Sequence, residues 1–526
     1  MGTELRATFG LPGLAFALLA LAGCVTTGAR PAPDAGTTPA PLAAYVLLGE
    51  SPAGGPVALA RVILTSGRAC PRLVAADGRA PASLPMVKRL NPHGFTVDVC
   101  EAVLPFDREY ALGPGGATLP VARRHVERVA VFGDTGCKPK DQAGCGLDDP
   151  AWPFPALTRA AAGRQPDLVL HVGDYNYRGT PSSFEQTAGG QSVKQWYYDA
   201  GDGAEPSEQC ELPGPYYSQN STGNPDRDAW PAWWLDFFQP AAELLAASPW
   251  VFARGNHELC SHAGPGWFYF LDASSELPEG GGAQLACPSQ DGEGPALPHL
   301  VMIPPRVVAL QDLSVAVLDS ANACDGLNNF GPQYDEQFGA IAGRLADGTA
   351  WLIGHRPVWG VEGSASGPAY GCDGEPGSGP TPAYGVLNRT LQCALAGTGG
   401  QALLPKLDLL LAGHMHRFEW LVFNQSTGRP PSLIVGNGGV QEDTEPPQGA
   451  FQQAVDGTQA SGFSVEEFGF LELARDAKGR WLGTVLTPDP GAWAPSLQPC
   501  PARAGEPPLC VEGLPGRGGA TLSTHH

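Results

Sequence analysis

Five short segments of this 526-residue chain combine glycine with side chains that can ligate metal ions. In chain order they are Gly133–Gly136, Gly173–Tyr177, Gly255–Glu258, Gly354–Pro357 and Gly413–His416. Together they offer carboxylate and amide oxygens, imidazole nitrogens and phenols. A single Gly-Asp or Gly-His pair carries little information, but five such segments in succession indicate one shared site.

Short apolar runs precede the five segments and predict buried strands. The runs are Val129–Phe132, Leu168–Val172, Val251–Ala253, Trp351–Ile353 and Leu409–Leu411. Runs of this length, rich in Val, Ile and Leu and bounded by glycine, fit strands that are buried on both faces of a sheet. Because ligands of open α/β sheets lie beyond the carboxyl ends of the strands, we expect the five segments to meet at one edge. The alternative is a set of ordinary strand–helix turns with polar caps.

Six side chains in these segments form a mixed oxygen and nitrogen donor set that suits iron, zinc or manganese better than a structural zinc site. They are Asp134, Asp174, Asn256, His355, His414 and His416. The two histidines of the last segment lie two residues apart, so an extended chain directs both to the same side. Two metal ions about 3.5–4 Å apart would stabilise the attacking and leaving oxygens of an in-line displacement.

The five segments resemble the signature blocks of the calcineurin-like metallophosphoesterase superfamily, and within it those of the purple acid phosphatases. Most members of the superfamily have Asp-x-His in the first block, whereas Gly136 replaces that histidine in this chain. The second block instead carries Tyr177, three residues after Asp174. This Gly-Asp-x-x-Tyr form is typical of purple acid phosphatases, whose tyrosine binds ferric iron. The resemblance spans roughly residues 126–486 and includes the glycine-rich segment 434–439.

The resemblance implies two metal sites and one catalytic histidine. The ligands of a ferric site would be Asp134, Asp174, Tyr177 and His416. The ligands of a site for a divalent ion (Fe, Zn or Mn) would be Asn256, His355, His414 and the bridging Asp174. His257 would orient the phosphate or protonate the leaving oxygen, and the alternative is a structural hydrogen-bonding role.

Three further residues are candidates for substrate binding. Arg178 and Arg356 flank two of the metal blocks and could hold a phosphate oxygen bidentately, although each could equally be a surface side chain. Animal purple acid phosphatases have a second outer histidine after the fourth block, which this chain lacks. His262 and His299 are the candidate substitutes, and for His262 the alternative is an ordinary surface-loop role.

The sequence predicts a mixed α/β (α+β) metallophosphoesterase sandwich, in which helices flank two β-sheets, preceded by a small all-β sandwich. The predicted segments are a signal peptide at 1–24, a Pro/Ala/Gly/Thr tether at 25–42, the β-sandwich at 43–122, the catalytic domain at 123–490 and a Pro/Gly-rich tail at 491–526. The β-sandwich is predicted because short apolar runs alternate with Gly/Pro turns there without a helical period. Predicted helices of the catalytic domain are Pro155–Ala162, Trp230–Ala247 and Tyr334–Leu345, and a closing hairpin is predicted from Phe468–Leu473 and Trp481–Leu486.

The N-terminus predicts export. Residues 11–23 are mostly apolar and lead to Leu21-Ala22-Gly23-Cys24, which resembles a bacterial lipobox. Lipid on Cys24 would anchor the chain in the cell envelope, and Val25 after it favours the outer membrane, on its periplasmic face or at the cell surface. The alternative is an ordinary signal peptide and a secreted protein.

Cysteine usage agrees with an oxidising compartment. The chain has 13 cysteines, and an even number remains when Cys24 is set aside. Such a set is typical of disulfides in exported proteins. Candidate pairs are Cys70/Cys100, Cys137/Cys145 and Cys500/Cys510, and a disulfide is also favoured for Cys260.

Charge and composition limit the function. The net charge of −21 disfavours binding to nucleic acids, because the chain would repel their phosphates. An apolar fraction of 43% indicates a substantial core.

The resemblance to purple acid phosphatases implies hydrolysis of small phosphate monoesters by in-line attack of a metal-bound hydroxide. The alternatives are a phosphodiesterase or nucleotidase of the same fold and a non-catalytic envelope lipoprotein that serves as a binding module.

Overall fold

A computed structural model describes residues 40–138, 145–178, 228–260, 262–277, 283–287, 301–325, 328, 330–361, 372, 388–423, 427–440 and 448–487, and the backbone of residues 187–188, 191–192, 496–498 and 510–511. The predicted signal peptide, Cys24 and nearly all of the tether lie outside these residues. Within the described part of the chain, no helix is long and apolar enough to cross a membrane.

The described strands outnumber the helices, and eight strands precede the first described helix. The strands are β1 (Ala43–Glu50), β2 (Pro56–Thr65), β3 (Arg72–Ala75), β4 (Ser83–Pro85), β5 (Val87–Lys88), β6 (Val97–Leu104), β7 (Tyr110–Leu112), β8 (Arg128–Phe132), β9 (Leu168–His171), β10 (Thr187–Ala188), β11 (Gln191–Ser192), β12 (Trp250–Phe252), β13 (Arg306–Ala309), β14 (Leu313–Val317), β15 (Thr349–Ile353), β16 (Leu409–Ala412), β17 (Phe418–Phe423), β18 (Ser432–Val435), β19 (Gly449–Val455), β20 (Thr458–Val465), β21 (Phe470–Arg475), β22 (Trp481–Leu486), β23 (Ser496–Gln498) and β24 (Cys510–Val511). The α-helices are α1 (Phe154–Gly163), α2 (Trp230–Trp233), α3 (Ala242–Ala247), α4 (Gly264–Phe270), α5 (Gly331–Ala342), α6 (Arg389–Leu395) and α7 (Thr398–Leu403).

Two large sheets organise the described residues. The first has the strand order β24-β23-β22-β21-β8-β9-β12-β1-β2-β6-β5, and β8, β9 and β12 run parallel at its centre. The second has the order β13-β14-β15-β16-β18-β17-β20-β19, with β14, β15, β16 and β18 parallel. Two small sheets, β4-β3-β7 and β10-β11, accompany them. The predicted mixed α/β class with two sheets and flanking helices is confirmed, and each of the five apolar runs forms a strand.

Both faces of the central strands are buried, which explains their continuous apolar sequences. Val131 of β8 belongs to one hydrophobic cluster with Ile353 of β15 and Leu411 of β16, so this cluster joins the two sheets. Alternate residues point to the other face, where Phe132 packs with α1 and Leu352 packs with α5. Period-2 alternation between two apolar layers therefore holds the strand ends in fixed positions.

The N-terminal strands extend the first sheet, where the sequence had predicted a separate β-sandwich over residues 43–122. β1 pairs in parallel with β12 through Leu47 and Trp250, and β2 and β6 continue the sheet from there. The described residues from Pro41 onward belong to one compact unit. The physical reason is that most residues of β1, β2 and β6 are buried on both faces of the sheet, so these strands cannot form a sheet with one solvent-exposed face. Among the described strands of this segment, only β3, β4 and β7 form a sheet of their own.

A buried group of charged side chains attaches these N-terminal strands to helix α4. Glu101 of β6 accepts a hydrogen bond from Arg89 Nη1 at 2.7 Å and lies 3.5 Å from Arg61 Nη2. The two guanidinium groups also donate to backbone carbonyls, Arg61 to Phe270 at 2.7 Å and Arg89 to Phe268 at 3.1 Å. Burial lowers the pKa of Arg61 to about 10, which Glu101 partly opposes.

The predicted helix Trp230–Ala247 is interrupted. Helix α2 continues into a π-helical turn over Trp234–Phe238, and α3 begins only at Ala242. Pro240 has no backbone N–H, so it cannot continue the hydrogen-bond ladder. The other two predicted helices correspond to α1 and α5, and the predicted closing hairpin corresponds to β21 and β22.

The structure confirms the predicted disulfides that lie within its described residues. Cys70 pairs with Cys100 and Cys137 pairs with Cys145. Cys260, next to the third metal block, is bonded to Cys287, and a further bond joins Cys372 to Cys393. Cys500, half of the remaining predicted pair, lies outside the described residues.

Replacement of Glu101 tests whether the N-terminal strands are integral to the fold. We expect Glu101→Ala to lower the free energy of unfolding by roughly 3–5 kcal/mol, because two buried guanidinium groups lose their carboxylate. Lys88→Ala is the control, since the Lys88 side chain is 45% exposed in its pair with Asp98, and it should change stability by about 1 kcal/mol or less. Denaturant unfolding would measure both, and equal effects would argue against a structural role of the buried group.

Candidate metal centre

The five segments converge at one edge of the two sheets. The ends of β8 and β9 supply Asp134, Asp174 and Tyr177, and the end of β12 supplies Asn256. In the second sheet, β15 leads to His355 and β16 leads to the histidine pair His414 and His416. Carboxylate oxygens of Asp134 and Asp174 and a ring nitrogen of His355 all lie within 4.8 Å of one another. The structure thus brings together the seven side chains that sequence reasoning named as metal ligands, and metal binding by them stays a prediction.

The four residues assigned to the ferric site surround one phenol oxygen. Tyr177 Oη donates to Asp134 Oδ1 at 2.9 Å and to Asp174 Oδ2 at 3.0 Å. His416 Nε2 lies 3.2 Å from the same oxygen and 3.8 Å from Asp134 Oδ1. Two carboxylates, a phenol and an imidazole therefore direct their donor atoms to a common point.

The residues assigned to the divalent site form a second group beside the first. His355 Nε2 lies 2.7 Å from Asn256 Oδ1 and 3.2 Å from Asp174 Oδ2. His414 Nδ1 lies 3.0 Å from the same Asn256 oxygen. Oxygen Oδ2 of Asp174 is thus within 3.2 Å of donor atoms from both groups. This is the position required of a ligand that bridges two ions.

Hydrogen bonds to the backbone orient three of the predicted ligands. His355 Nδ1 is 2.9 Å from the carbonyl oxygen of Val172, so its N–H is used there and the lone pair of Nε2 faces the cluster. Asp134 Oδ2 accepts from the backbone N–H of His414 at 2.9 Å. Asp174 Oδ1 accepts from the backbone N–H of His257 at 2.9 Å, which leaves Oδ2 for the shared position.

The backbone is strained at three of the ligands. Asp134, Asp174 and His414 have φ angles of 55°, 60° and 76°, in the left-handed region. For residues other than glycine this conformation costs on the order of 1–3 kcal/mol and concentrates at functional sites. Gly255 serves the same close packing, because a Cβ atom there would lie 2.0 Å from Asp174 Oδ1.

The exchange of histidine for glycine at position 136 has a steric explanation. A Cβ atom on Gly136 would lie 2.7 Å from Cδ2 of Tyr177 and 2.7 Å from the backbone carbonyl of Tyr175. A larger residue in the first block and a tyrosine in the second block therefore compete for the same space. Glycine at position 136 therefore leaves room for the ring of Tyr177.

The electrostatics of the cluster favour cations. Burial, followed by the neighbouring carboxylates Asp134 and Asp174, raises the pKa of the Tyr177 phenol well above its ordinary value. Two carboxylates that are at most 1% exposed are expensive to keep ionised without a compensating positive charge. The donors are hard oxygens and imidazole nitrogens, with no cysteine among them. This donor set fits iron, zinc or manganese.

His257 lies at the rim of the cluster. Its ring centroid is 4.2 Å from that of Tyr177, and its Nε2 is 3.9 Å from Asp174 Oδ2. Burial lowers the pKa of His257 to about 3 in spite of the opposing effect of Asp174, so the imidazole is neutral. The side chain is 20% exposed, which leaves it accessible from solvent. Its catalytic role stays a prediction.

The side chains of the three substrate-binding candidates contact other groups of the protein. Arg178 forms a bidentate pair with Asp236 at 2.7 and 2.8 Å. His262 contacts the backbone carbonyls of His257 and, at 2.9 Å, of Arg178, so it connects the second and third blocks. Arg356 is 2% exposed and is treated below with its carboxylate partner. Substrate binding by these residues stays a prediction.

Two carboxylates have roles that the sequence did not predict: Glu258, which lies in the third segment, and Asp325, which lies in none of the five. The Glu258 side chain accepts backbone N–H groups of the second block, from Asp174 at 3.1 Å, Tyr175 at 2.8 Å and Asn176 at 3.1 Å. Asp325 lies beyond the end of β14 and pairs with Arg356 and His414. Burial raises the pKa of Asp325, but Arg356 and His414 together hold it well below its usual value.

A sequence signal for Asp325 exists. The run 313–318 is as apolar as the five runs before the metal blocks, and polar residues follow it. It forms β14, which lies parallel to β15 and ends at the same edge. Because no Gly-Asp or Gly-His pair follows this run, the run was not recognised as a strand that ends at the site.

Comparison with known proteins identifies the family. The sequence model of calcineurin-like phosphoesterases matches residues 127–418, which is more than half of the 526-residue chain. The chain belongs to this family. It is therefore a hydrolase that acts on phosphoester bonds, in a family that depends on metal ions. A comparison with curated proteins gives no match.

Solved structures that are similar to this chain include the following two. Purple acid phosphatase PPD1 from yellow lupin (Lupinus luteus) seeds shares 14% identity over 85% of this chain and 72% of its own, with a TM-score of 0.48. PhoD shares 13% identity over 93% of this chain and 95% of its own, with a TM-score of 0.49.

Substitution of Gly136 tests the steric link with Tyr177. We expect Gly136→Ala to displace the tyrosine ring, to lower the free energy of unfolding by about 1–3 kcal/mol and to reduce the bound metal. Gly146→Ala is the matched control, because a Cβ atom at position 146 meets no atom within 4 Å. Denaturant unfolding and metal analysis of both variants would measure the effects. Unchanged metal content and stability in Gly136→Ala would contradict the link.

Proposed function

We propose that this chain is a binuclear phosphatase of the purple acid phosphatase type that hydrolyses phosphate monoesters. The observation that carries the proposal is the shared position of Asp174 Oδ2, which lies 3.0 Å from Tyr177 Oη and 3.2 Å from His355 Nε2. One carboxylate oxygen thus belongs to two complete donor groups. A single-ion site would not need the second group.

The two donor groups differ in chemistry, which supports two different ions. The group with Tyr177 contains a phenol and two carboxylates and suits Fe(III), whereas the group with Asn256, His355 and His414 suits a divalent Fe, Zn or Mn ion. When bound, the ions would polarise the phosphoryl oxygens and lower the pKa of water. A net charge of −21 agrees with a phosphate substrate that is held by metal ions rather than by a basic surface.

His257 is the residue of this chain that is best placed to contact the reacting phosphate. It is partly exposed at the rim, and its backbone N–H is fixed by Asp174 at 2.9 Å. A neutral imidazole offers one N–H, which would hold a phosphoryl oxygen or the leaving oxygen. His262 contacts the carbonyl oxygen of His257, so it would limit the movement of this segment.

The proposed location is the cell envelope. Lipid on Cys24 would anchor the protein, with the catalytic part in the periplasm or outside the cell. The disulfides Cys70–Cys100, Cys137–Cys145 and Cys260–Cys287 support an oxidising compartment.

The visible spectrum tests the ferric site. We expect the purified protein to be pink to violet, because a tyrosinate bound to Fe(III) absorbs visible light, and to contain one iron and one further metal ion per chain. Tyr177→Phe should remove the colour and keep the fold. Tyr175→Phe is the matched control and should keep the colour, because this phenol bonds to the carbonyl oxygen of Ala253 at 2.9 Å.

Asp174→Asn completes this experiment. It should lower the content of both metals and abolish turnover, because it changes the shared ligand. A colourless protein with two Mn or Zn ions would leave a metallophosphoesterase but remove Tyr177 as an iron ligand. A colourless protein that binds no metal under any loading condition would overturn the proposal.

Kinetics of His257→Asn test the catalytic histidine. We expect kcat for p-nitrophenyl phosphate to fall by about 10²–10³-fold with unchanged metal content, as for the loss of one hydrogen-bond donor to the reacting group. His93→Asn is a control, because His93 contacts the carbonyl oxygen of Cys287 away from the donor groups. The diester bis(p-nitrophenyl) phosphate is assayed on the same samples. If its kcat/KM is higher than that of the monoester, the chain is a phosphodiesterase instead. An unchanged kcat in His257→Asn would leave this histidine a structural role.

A further inference from the structure

The carboxylate of Asp325 lies against the outer nitrogen of a metal-ligand candidate, although it belongs to none of the five segments. Its Oδ2 is 3.0 Å from His414 Nε2, while Nδ1 of the same ring is 3.0 Å from Asn256 Oδ1. We propose that Asp325 is a positioning residue that sets the orientation of His414 and thereby the affinity of the divalent half of the centre. This inference rests on the proposed binuclear function.

The geometry selects one tautomer of His414. A neutral imidazole carries a single N–H, and a carboxylate can only accept a hydrogen bond. With the proton on Nε2 and donated to Asp325, the lone pair on Nδ1 is directed to the Asn256 oxygen and the divalent group. Histidines that bind metals generally donate their other N–H to a carboxylate or a carbonyl, and these partners affect metal affinity.

Asp325 is itself held by a rigid element. Asn388 donates from Nδ2 to Asp325 Oδ1 at 2.8 Å, and Asn388 also caps helix α6 by accepting from the N–H of Leu391 at 2.8 Å. The backbone N–H of Arg389 donates to the carbonyl oxygen of Asp325 at 2.9 Å. The carboxylate is therefore fixed to the first turn of a helix, so it can transmit a defined orientation to the imidazole.

Arg356 completes the group on the other side. Its Nη1 donates to Asp325 Oδ2 and lies 3.3 Å from His414 Nε2, and the side chain is buried. It balances the charge of Asp325. This contact gives Arg356 a role that differs from phosphate binding, because its guanidinium neutralises a carboxylate of the protein.

The loop after β14 supports the fourth block in the same way. Ser320 Oγ accepts from the backbone N–H of His355 at 2.8 Å and from that of Arg356 at 2.9 Å. One loop, residues 318–325, thus contacts both histidines of the divalent group. It acts as a sixth segment of the centre that supplies supports instead of ligands.

Zinc titration of the full-length protein tests the proposal. The divalent ion is removed from wild type, Asp325→Ala, Asp325→Asn and Asp408→Asn with a chelator, and Zn²⁺ affinity is then measured by competition with a chromogenic chelator. Asp408→Asn is the matched control, because this carboxylate caps the opposite end of the same strands by accepting from Ala350 N at 2.8 Å. The visible band of the Tyr177 site and the thermal unfolding of each variant are recorded on the same samples.

We expect Asp325→Ala to weaken Zn²⁺ binding by up to about 100-fold and Asp325→Asn to weaken it by about tenfold, since the amide oxygen can still accept the N–H. The visible band should persist in both, and Asp408→Asn should match wild type. If the alanine variant does not fold, the asparagine variant decides the question.

Wild-type Zn²⁺ affinity in the Asp325 variants would overturn the positioning role. A loss of kcat with unchanged Zn²⁺ affinity would also overturn it and would instead place Asp325 in contact with substrate. Wild-type protein that takes up no second ion would refute the binuclear function itself, so the two failures are distinguishable.

Discussion

The burial of Asp134 and Asp174 side by side is the constraint on which the site depends. Two carboxylates at this depth repel each other and lose their hydration, so the surrounding groups must stabilise their negative charge. The backbone N–H groups of His414 and His257 bond to one oxygen of each carboxylate. The remaining oxygens meet the phenol of Tyr177, at the place where positive charge is still needed.

The fold meets this constraint through the register of its paired strands. β8 pairs with β9, and β15 pairs with β14 and β16, so a slip by one residue in any of them would displace the loops that carry the site residues. The left-handed backbone at Asp134, Asp174 and His414 adds strain that only a well-packed scaffold can hold. The Gly-rich segments therefore meet two requirements. The glycines let the chain segments approach closely, and the left-handed residues orient the predicted ligands.

Sequence patterns identified the residues that are predicted to bind metal and did not identify the residues that orient them. Asp134, Tyr177 and His414 follow apolar runs in recognisable pairs or triplets, because a ligand must stand at a strand end. Asp325 and Ser320 act through hydrogen bonds whose partners are far away in sequence, and such bonds leave no local pattern. The same reason explains the N-terminal strands, since short apolar runs predict that β1 and β2 are strands but not which sheet they join.

The close approach of Gly136 and Tyr177 limits which side chains the first and second blocks can hold together. A side chain in the first block and the phenol in the second block occupy the same volume, so one must shrink when the other grows. In the proposed centre, a phenol in place of an imidazole would make one donor group harder and would favour a harder cation there. The divalent group keeps its amide and its imidazoles, and its orientation depends on supports such as Asp325 that the exchange does not touch. The two halves of the centre can therefore be tuned separately, although Asp174 belongs to both.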